Sequence, residues 1–386
     1  MAAQKLQSWF CLRDGRDNFK PHNVKDKNLT FCHQHLLTDD ILGSIERRFA
    51  GNEPVKMLLY GDWGVGKTHA INHICWWLDA HGADYPAKPL VIEIGDITKT
   101  TRFDVIVGPF IDAIGLPELI RLMHEYLKVN PNATKALEDA GVSAPVASAL
   151  AKLLLAAPGE TPPPMVMHAV DYLKGRKLSG AAGSMGLGQQ LNGSSDFYNV
   201  LLGIGELYRV VRGARLIFIA DEAAKVEAVD ADDAARAHWV NVNKLIFDDT
   251  NNTFGFIYTI SGRRRSLPQA LFEPQLQNRL GENAFEMKNL APADVGNFLT
   301  NLVAEFVDKA AVDALVASGE IATADYDWGS YPFTIAGKHD FVDYFSRTQE
   351  NSKPRDISAK LNDVAFVAMK SGKRLISPEI LRAANM

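Results

Sequence analysis

An α/β fold, with a parallel helix-covered sheet followed by a purely helical C-terminal lid, is what the sequence predicts, and three observations predict it. Short apolar runs alternate with helically periodic segments through residues 37–290. One of those runs, Val55–Tyr60, passes straight into the octet Gly61-Asp62-Trp63-Gly64-Val65-Gly66-Lys67-Thr68, which in turn opens a helical pattern. Beyond Leu290 the strand-like runs stop and only helical patterns remain.

Taken in order, residues 1–36 are polar, rich in His and of mixed charge, and read as an irregular N-terminal arm. Thr38 offers an N-cap, Asp39 and Asp40 fall in a first turn, and Ile41, Leu42, Ile45 and Phe49 recur at helical spacing, so a helix is expected to about Ala50. Val55–Tyr60 is the first strand, and residues 68–80 form the helix after the octet. Leu90–Ile94 is the second strand, Arg215–Ala220 the third, Thr253–Ile260 the fourth and Asn283–Met287 a short fifth. Strands separated by helical segments imply parallel pairing.

Residues 95–213, between the second and third strands, far exceed what a helical crossover requires, so a largely helical insertion is expected there. Its helical patterns are Val105–Ile114, Pro117–Leu127 and Ala144–Ala157. It then passes Pro162-Pro163-Pro164 and a glycine-rich stretch from Gly175 to Ser195, and returns through a helix over Asp196–Val211 capped by Ser194 or Ser195. The C-terminal helices are expected at Pro292–Val307, Lys309–Ser318, His339–Gln349, Pro354–Lys370 and from Pro378 onward. The domain reading is therefore an arm (1–36), a core (37–290, insertion included) and a helical lid (291–386).

Composition narrows the classes. With 386 residues, 47% apolar and 23% charged, the chain is an ordinary globular one with a substantial core. A formal charge of -5 argues against a surface coated in positive charge, so any nucleic-acid binding needs a local patch or an assembled ring. Cys11, Cys32 and Cys75 are too few and scattered for a disulfide framework, which fits a cytoplasmic protein. Cys32, His33 and His35, with Cys11 and His22 upstream, lack the spacing of a metal site. Met1–Phe10 carries only Lys5 and no apolar signal core. Ala144–Ala157 is interrupted by Lys152 and falls short of the roughly 20 residues a bilayer requires, so no membrane association is expected.

The chemistry concentrates in the octet. It matches G-x-x-x-x-G-K-T in the strand-to-helix context that gives the motif meaning: its glycines let backbone N–H groups curl around phosphate oxygens, the following helix presents its positive end, and Lys67 neutralises the outer phosphates. Thr68 supplies a hydroxyl suited to magnesium, and His69 adjoins it. Leu216–Ala220 leads into Asp221-Glu222, which puts two acids at the C-terminal end of a buried strand, where open α/β sheets bind ligands. Asp221 is expected to hold magnesium through water and Glu222 to orient and deprotonate the attacking water. The fourth strand ends in hydroxyls, Thr259 and Ser261, that are placed to sense the γ-phosphate or to position the water. Arg279, just before the fifth strand, is a planar donor able to reach a neighbouring subunit's nucleotide. Arg355, after Pro354 at the start of a lid helix, is placed to reach back to the nucleotide. Arg263-Arg264-Arg265 reads as a solvated basic loop.

Together these motifs resemble the AAA+ superfamily of P-loop ATPases: octet Gly61–Thr68, acids Asp221-Glu222, a polar strand end at Ser261, Arg279, and Pro354-Arg355 in a helical lid. The lid segment is similar to the initiator (origin-recognition) branch and to bacterial ATPases of transposition and phage defence. Tyr172–Gly175, the glycine-rich stretch and Phe197–Tyr208 resemble in order the ATP-binding proteins of BREX-type loci. The chain departs from initiators in ending at Met386, directly after the lid, and in having Gly262 where the family often has Asn. The resemblance implies an ATP- and Mg2+-dependent ATPase, assembled into a homo-oligomer with Arg279 acting across the interface, that acts on DNA or licenses an effector protein. The alternative is a low-turnover, nucleotide-gated scaffold or signalling switch that binds a protein partner.

Overall fold

The computed structural model describes residues 5–20, 36–93, 107–177, 187, 190–225, 233–248, 253–262, 281–347 and 352–386. They form two compact units, one of Thr38–Gly61 and Ile74–Glu286, the other of Met1–Leu37, Asp62–His73 and Met287–Met386.

The first unit is built on a five-stranded sheet. Its strands are β1 (Lys56–Gly61), β2 (Ala87–Glu93), β3 (Arg215–Lys225), β4 (Phe254–Ser261) and β5 (Ala284–Met287), in the order β2-β3-β4-β1-β5. The pairs β1/β4, β2/β3 and β3/β4 are parallel, with Gly61 opposite Ser261 and Glu93 opposite Asp221. Central strands of such a sheet are covered on both faces, which is why Leu216–Ala220 and Phe254–Ile260 are near-continuous apolar runs, all buried. The α/β class with helices about a parallel sheet is as expected.

β3 is longer than the expected Arg215–Ala220 because its pairing outlasts its apolar run. Ala220 pairs with Tyr258 and Ala224 with Ile260, so Asp221, Glu222 and Ala223 bulge opposite Thr259 alone.

The described residues between 107 and 212 are largely helical and share the sheet's core. Their helices are α4 (Gly108–Ile114), α5 (Leu116–Val129), α6 (Ala133–Asp139), α7 (Ala144–Ala151), α8 (Pro164–Leu173) and α9 (Ser194–Arg212). Leu119, Leu122, Tyr126, Leu150 and Val170 belong to the same apolar cluster as Phe218 and Phe254, and Phe110 meets Phe218 edge-on at 5.0 Å. The three prolines are not only a break, since Pro164 opens α8 at a position where a missing N–H costs nothing. α9 starts two residues before Asp196. Its expected serine cap is replaced by the Asp196 carboxylate, which accepts from the Gly193 and Asn192 amides at 2.9 and 3.0 Å. α9 ends at Gly213 in the left-handed region (φ 61).

Upstream, the first helix begins at Leu36 as a π-helical turn and continues as α2 (Gly43–Ala50), so Thr38 lies inside it and donates to Asp39 instead of capping. α3 (Lys67–Ala80) follows the octet, and α10 (Asp233–Asp248) precedes β4.

Among its described residues the second unit's helices are α1 (Leu6–Trp9), the start of α3, α11 (Pro292–Phe306), α12 (Lys309–Ala317), α13 (Ile335–Arg347), α14 (Pro354–Lys370) and α15 (Pro378–Ala383), joined by isolated bridges Leu12–Val307 and Phe333–Ile376. α13 begins four residues earlier than its polar pattern suggests, because Thr334 caps it by accepting from the Gly337 amide at 3.0 Å. Residues of the arm belong to this core: Phe10 and Phe19 are fully buried, and Tyr331 donates to the Phe10 carbonyl at 3.1 Å. Leu290 and Ser352 fix the approach to α14, with the Leu290 amide donating to the Ser352 carbonyl (2.8 Å) and the Ser352 hydroxyl donating back to the Leu290 carbonyl (2.9 Å).

Among the described residues no helix is long and apolar enough to cross a membrane.

Candidate functional site

In the second unit the octet is a tight loop leading into α3. Gly64 (φ 86) and Gly66 (φ 108) occupy conformations that L side chains rarely adopt, the backbone freedom that a loop curling its amides around phosphate oxygens requires. α3 starts at Lys67, so the positive end of its dipole lies at the same loop. Lys67 is buried to 6% exposure and donates from Nζ to the Asp62 carbonyl at 2.9 Å. Thr68 and His69 form the next positions of the same helical turn and are partly exposed.

The start of α14 meets the loop's first residues. Asp62 turns one carboxylate oxygen to the Trp63 amide at 2.8 Å and the other to the Lys353 ammonium at 2.9 Å. The Arg355 guanidinium lies over the Trp63 ring at 3.7 Å, and a Cβ added at Gly64 would stand 3.2 Å from Arg355 Cβ. Arg355, which follows Pro354, thus lies beside Trp63 and Gly64 of the octet. Lys353 was missed, although it adjoins that pair, because nothing local couples it to Asp62.

In the sheet unit Asp221 lies at the end of the apolar run of β3, buried to 3% exposure. Thr259, fully buried, donates its hydroxyl to Asp221 Oδ1 at 2.6 Å. The hydroxyl expected at the γ-phosphate thus donates to the strand-end acid and holds its carboxylate. Ser261, half-buried, ends β4 opposite Gly61, the residue from which the octet departs, and the Gly262 amide donates to the Gly61 carbonyl at 2.8 Å. Parallel pairing therefore puts Gly61, Asp221 and Ser261 at the C-terminal ends of their strands or apolar runs, on one edge of the sheet.

Glu222 has its backbone in the β3 bulge, but its side chain lies outside the described residues, as do Arg279, Arg263–Arg265 and the Cys32, His33, His35 group. A cleft of about 640 Å³ opens at the opposite edge of the sheet, by Asn52, Pro86, Arg215 and Thr253. Its charges are mixed, with Arg209 gripping Glu206 in a two-pronged pair at 2.8 Å, so it selects no ligand class.

The donor set suits a polyphosphate with a hard divalent cation. Taken by itself, the loop offers an ammonium and a hydroxyl; taken by itself, the sheet offers a carboxylate held by a neutral donor, the kind of oxygen ligand such a cation takes. Among the described residues no group of three or more His, Cys, Asp or Glu converges.

No family model matches the chain, and no curated protein matches its sequence. Solved structures similar in chain course include Cdc6p from Pyrobaculum aerophilum (12% identity, 97% of this chain and 71% of that one, TM-score 0.48). The ORC2 protein of Aeropyrum pernix in its ADPNP–ADP complexes gives the same values. The ORC1 protein of Aeropyrum pernix in complex with DNA matches at 13% identity over 99% of this chain and 69% of that one, with a TM-score of 0.47.

Proposed function

We propose that this protein binds ATP with magnesium and hydrolyses it to ADP and phosphate, as an ATPase of the AAA+ kind. The observation that carries the reading is the octet itself: a complete G-x-x-x-x-G-K-T sequence folded as two positive-φ glycines opening into α3, with a buried lysine.

In this reading the amides of residues 62–68 bind the β- and γ-phosphates and Lys67 exchanges the Asp62 carbonyl for phosphate oxygen. Bound magnesium supplies charge neutralisation on those phosphates, and Thr68 and, through water, Asp221 are the residues that would hold it. Thr259 keeps the Asp221 carboxylate in place. Glu222 orients the attacking water and takes its proton, Ser261 contacts the nucleotide from the end of β4, and Arg355 reads the outer phosphate from α14. Arg279 acts on a neighbouring subunit's nucleotide, which makes the active form a homo-oligomer. The assembled, cytoplasmic protein acts on DNA or licenses an effector, in a mobile-element or phage-defence setting.

Two measurements test this. Wild-type protein should hydrolyse ATP, Lys67→Ala should lose ATP binding, and Glu222→Gln should keep binding and assembly while losing turnover. Sizing with ADP and with a slowly hydrolysed ATP analogue, with and without duplex DNA, should show a larger species only with the analogue. ATP bound equally well by Lys67→Ala would refute nucleotide binding at the octet. Unchanged partner binding with negligible wild-type turnover would favour the scaffold instead.

A further inference from the structure

Two cations stand where a helix end disfavours them. Lys353 is the N-cap of α14 and Arg355 follows Pro354 within its first turn, at the end where the helix dipole is positive. Asp356 in the same turn offsets part of that repulsion. The octet supplies the rest, pairing Asp62 with Lys353 at 2.9 Å and laying the Trp63 ring under Arg355 at 3.7 Å.

The choice of partner matters for Arg355. Among the described residues no carboxylate pairs with it. A guanidinium stacked flat on an indole is attracted through its face, while its N–H groups all lie in its plane and stay directed outward. A carboxylate would occupy that edge; an aromatic face leaves it open for the planar, two-pronged bond to a phosphate. Trp63 is 58% exposed, an unusual place for so large an apolar ring, and the interaction gives it a purpose.

We infer that Trp63 is a positioning residue for Arg355: its indole face stores the guanidinium beside the phosphate loop with the donor edge free for the outer phosphate of a nucleoside triphosphate. Asp62 holds Lys353 in parallel and keeps that second ammonium off Arg355. The inference rests on the nucleotide reading above and adds a residue that the octet pattern leaves unspecified.

The test is a double-mutant cycle of Trp63→Leu and Arg355→Ala in the full chain, read on ATP affinity and on kcat, with Trp63→Phe as the conservative variant. Because Trp63 is largely exposed, truncation removes little buried surface, and an unchanged melting temperature confirms folding. Trp63→Leu should weaken ATP handling by about threefold to tenfold, in the range of a partly desolvated cation–π contact. The loss should vanish in the Arg355→Ala background and be largely restored by Trp63→Phe. Additive losses, equal losses in Trp63→Leu and Trp63→Phe, or no loss at all would overturn the inference. ATP bound normally by Lys67→Ala would instead sink the nucleotide reading, whereas wild-type binding lost in Lys67→Ala alongside an additive cycle removes the Trp63 role alone.

Discussion

Thr259 donates its hydroxyl to Asp221 across 2.6 Å, with neither side chain more than 3% exposed. The β3 bulge makes this possible, because it sets three residues against Thr259 and leaves the carboxylate facing its neighbour on β4. A buried carboxylate that loses a donor retains its desolvation cost without compensation. Thr259→Val should therefore lower stability by about 1–3 kcal/mol and depress ATP turnover, while Thr259→Ser, which keeps the hydroxyl, should recover most of both. Denaturant midpoints and steady-state rates for the two variants check this, and equal behaviour of Val and Ser would remove the bond from the account.

At Gly205, α9 lies tight against the start of β4. A Cβ there would stand 2.9 Å from Phe254 Cβ at the start of β4 and 3.1 Å from the carbonyl of Thr253 just before it, so the helix must back away. Gly205→Ala should cost about 1–3 kcal/mol as an overpacking change. Gly296→Ala, within α11 and with nothing within 4 Å of the added carbon, should instead be neutral or stabilising by up to about 1 kcal/mol. Paired denaturation curves distinguish the two.

The parts of this protein legible from sequence are those whose cause is local. β1 and the octet are contiguous, and the positive φ of Gly64 and Gly66 follows from their lacking a side chain. The parts that escaped depend on partners far along the chain. Nothing in Glu222-Ala223-Ala224-Lys225 resembles a strand, and only pairing of Lys225 with Ser261 extends β3 that far. Leu36 and Leu37 enter the first helix because burial of Leu37 and Ile41 outweighs the cap offered by Thr38. The Asp62–Lys353 pair joins segments that no motif links. Thr259 drew attention as a strand-end hydroxyl, but whether it meets ligand or Asp221 is set by the bulge, which has no sequence signature.

Alkaline pH should unfold the protein through buried phenols. Burial, and next the nearby Glu206 charge, push Tyr126 from an ordinary 10.0 up to about 12, and burial moves Tyr258 and Tyr331 the same way. The folded state thus resists ionisation that the unfolded chain undergoes freely, so the unfolded state binds fewer protons above pH 10. The stability these groups contribute is intact below about pH 10 and falls as pH rises through the folded values. Melting temperatures followed from about pH 9 upward should decline, and Tyr126→Phe should flatten part of that slope. An identical slope in the variant would rule Tyr126 out.

The N-terminal segment should prove a structural part of the helical unit and not a dispensable arm. Phe10 is fully buried beside Phe19, its carbonyl accepts from Tyr331, and the flanking Trp9 donates to the Lys373 carbonyl at 3.0 Å while its ring lies under Arg374 at 4.1 Å. Truncating a sealed aromatic side chain removes its transfer energy and leaves a cavity, so Phe10→Ala should cost about 3–5 kcal/mol. The exposed Ser8→Ala should cost almost nothing, although it lies two positions away. Limited proteolysis gives the sharper readout: loss of the Phe10 contact should expose cleavage sites in α11, α13 and α14 together, because those helices share one core with the segment. Protection of those helices in Phe10→Ala, equal to wild type, would show that the segment merely rests on a unit that stands without it.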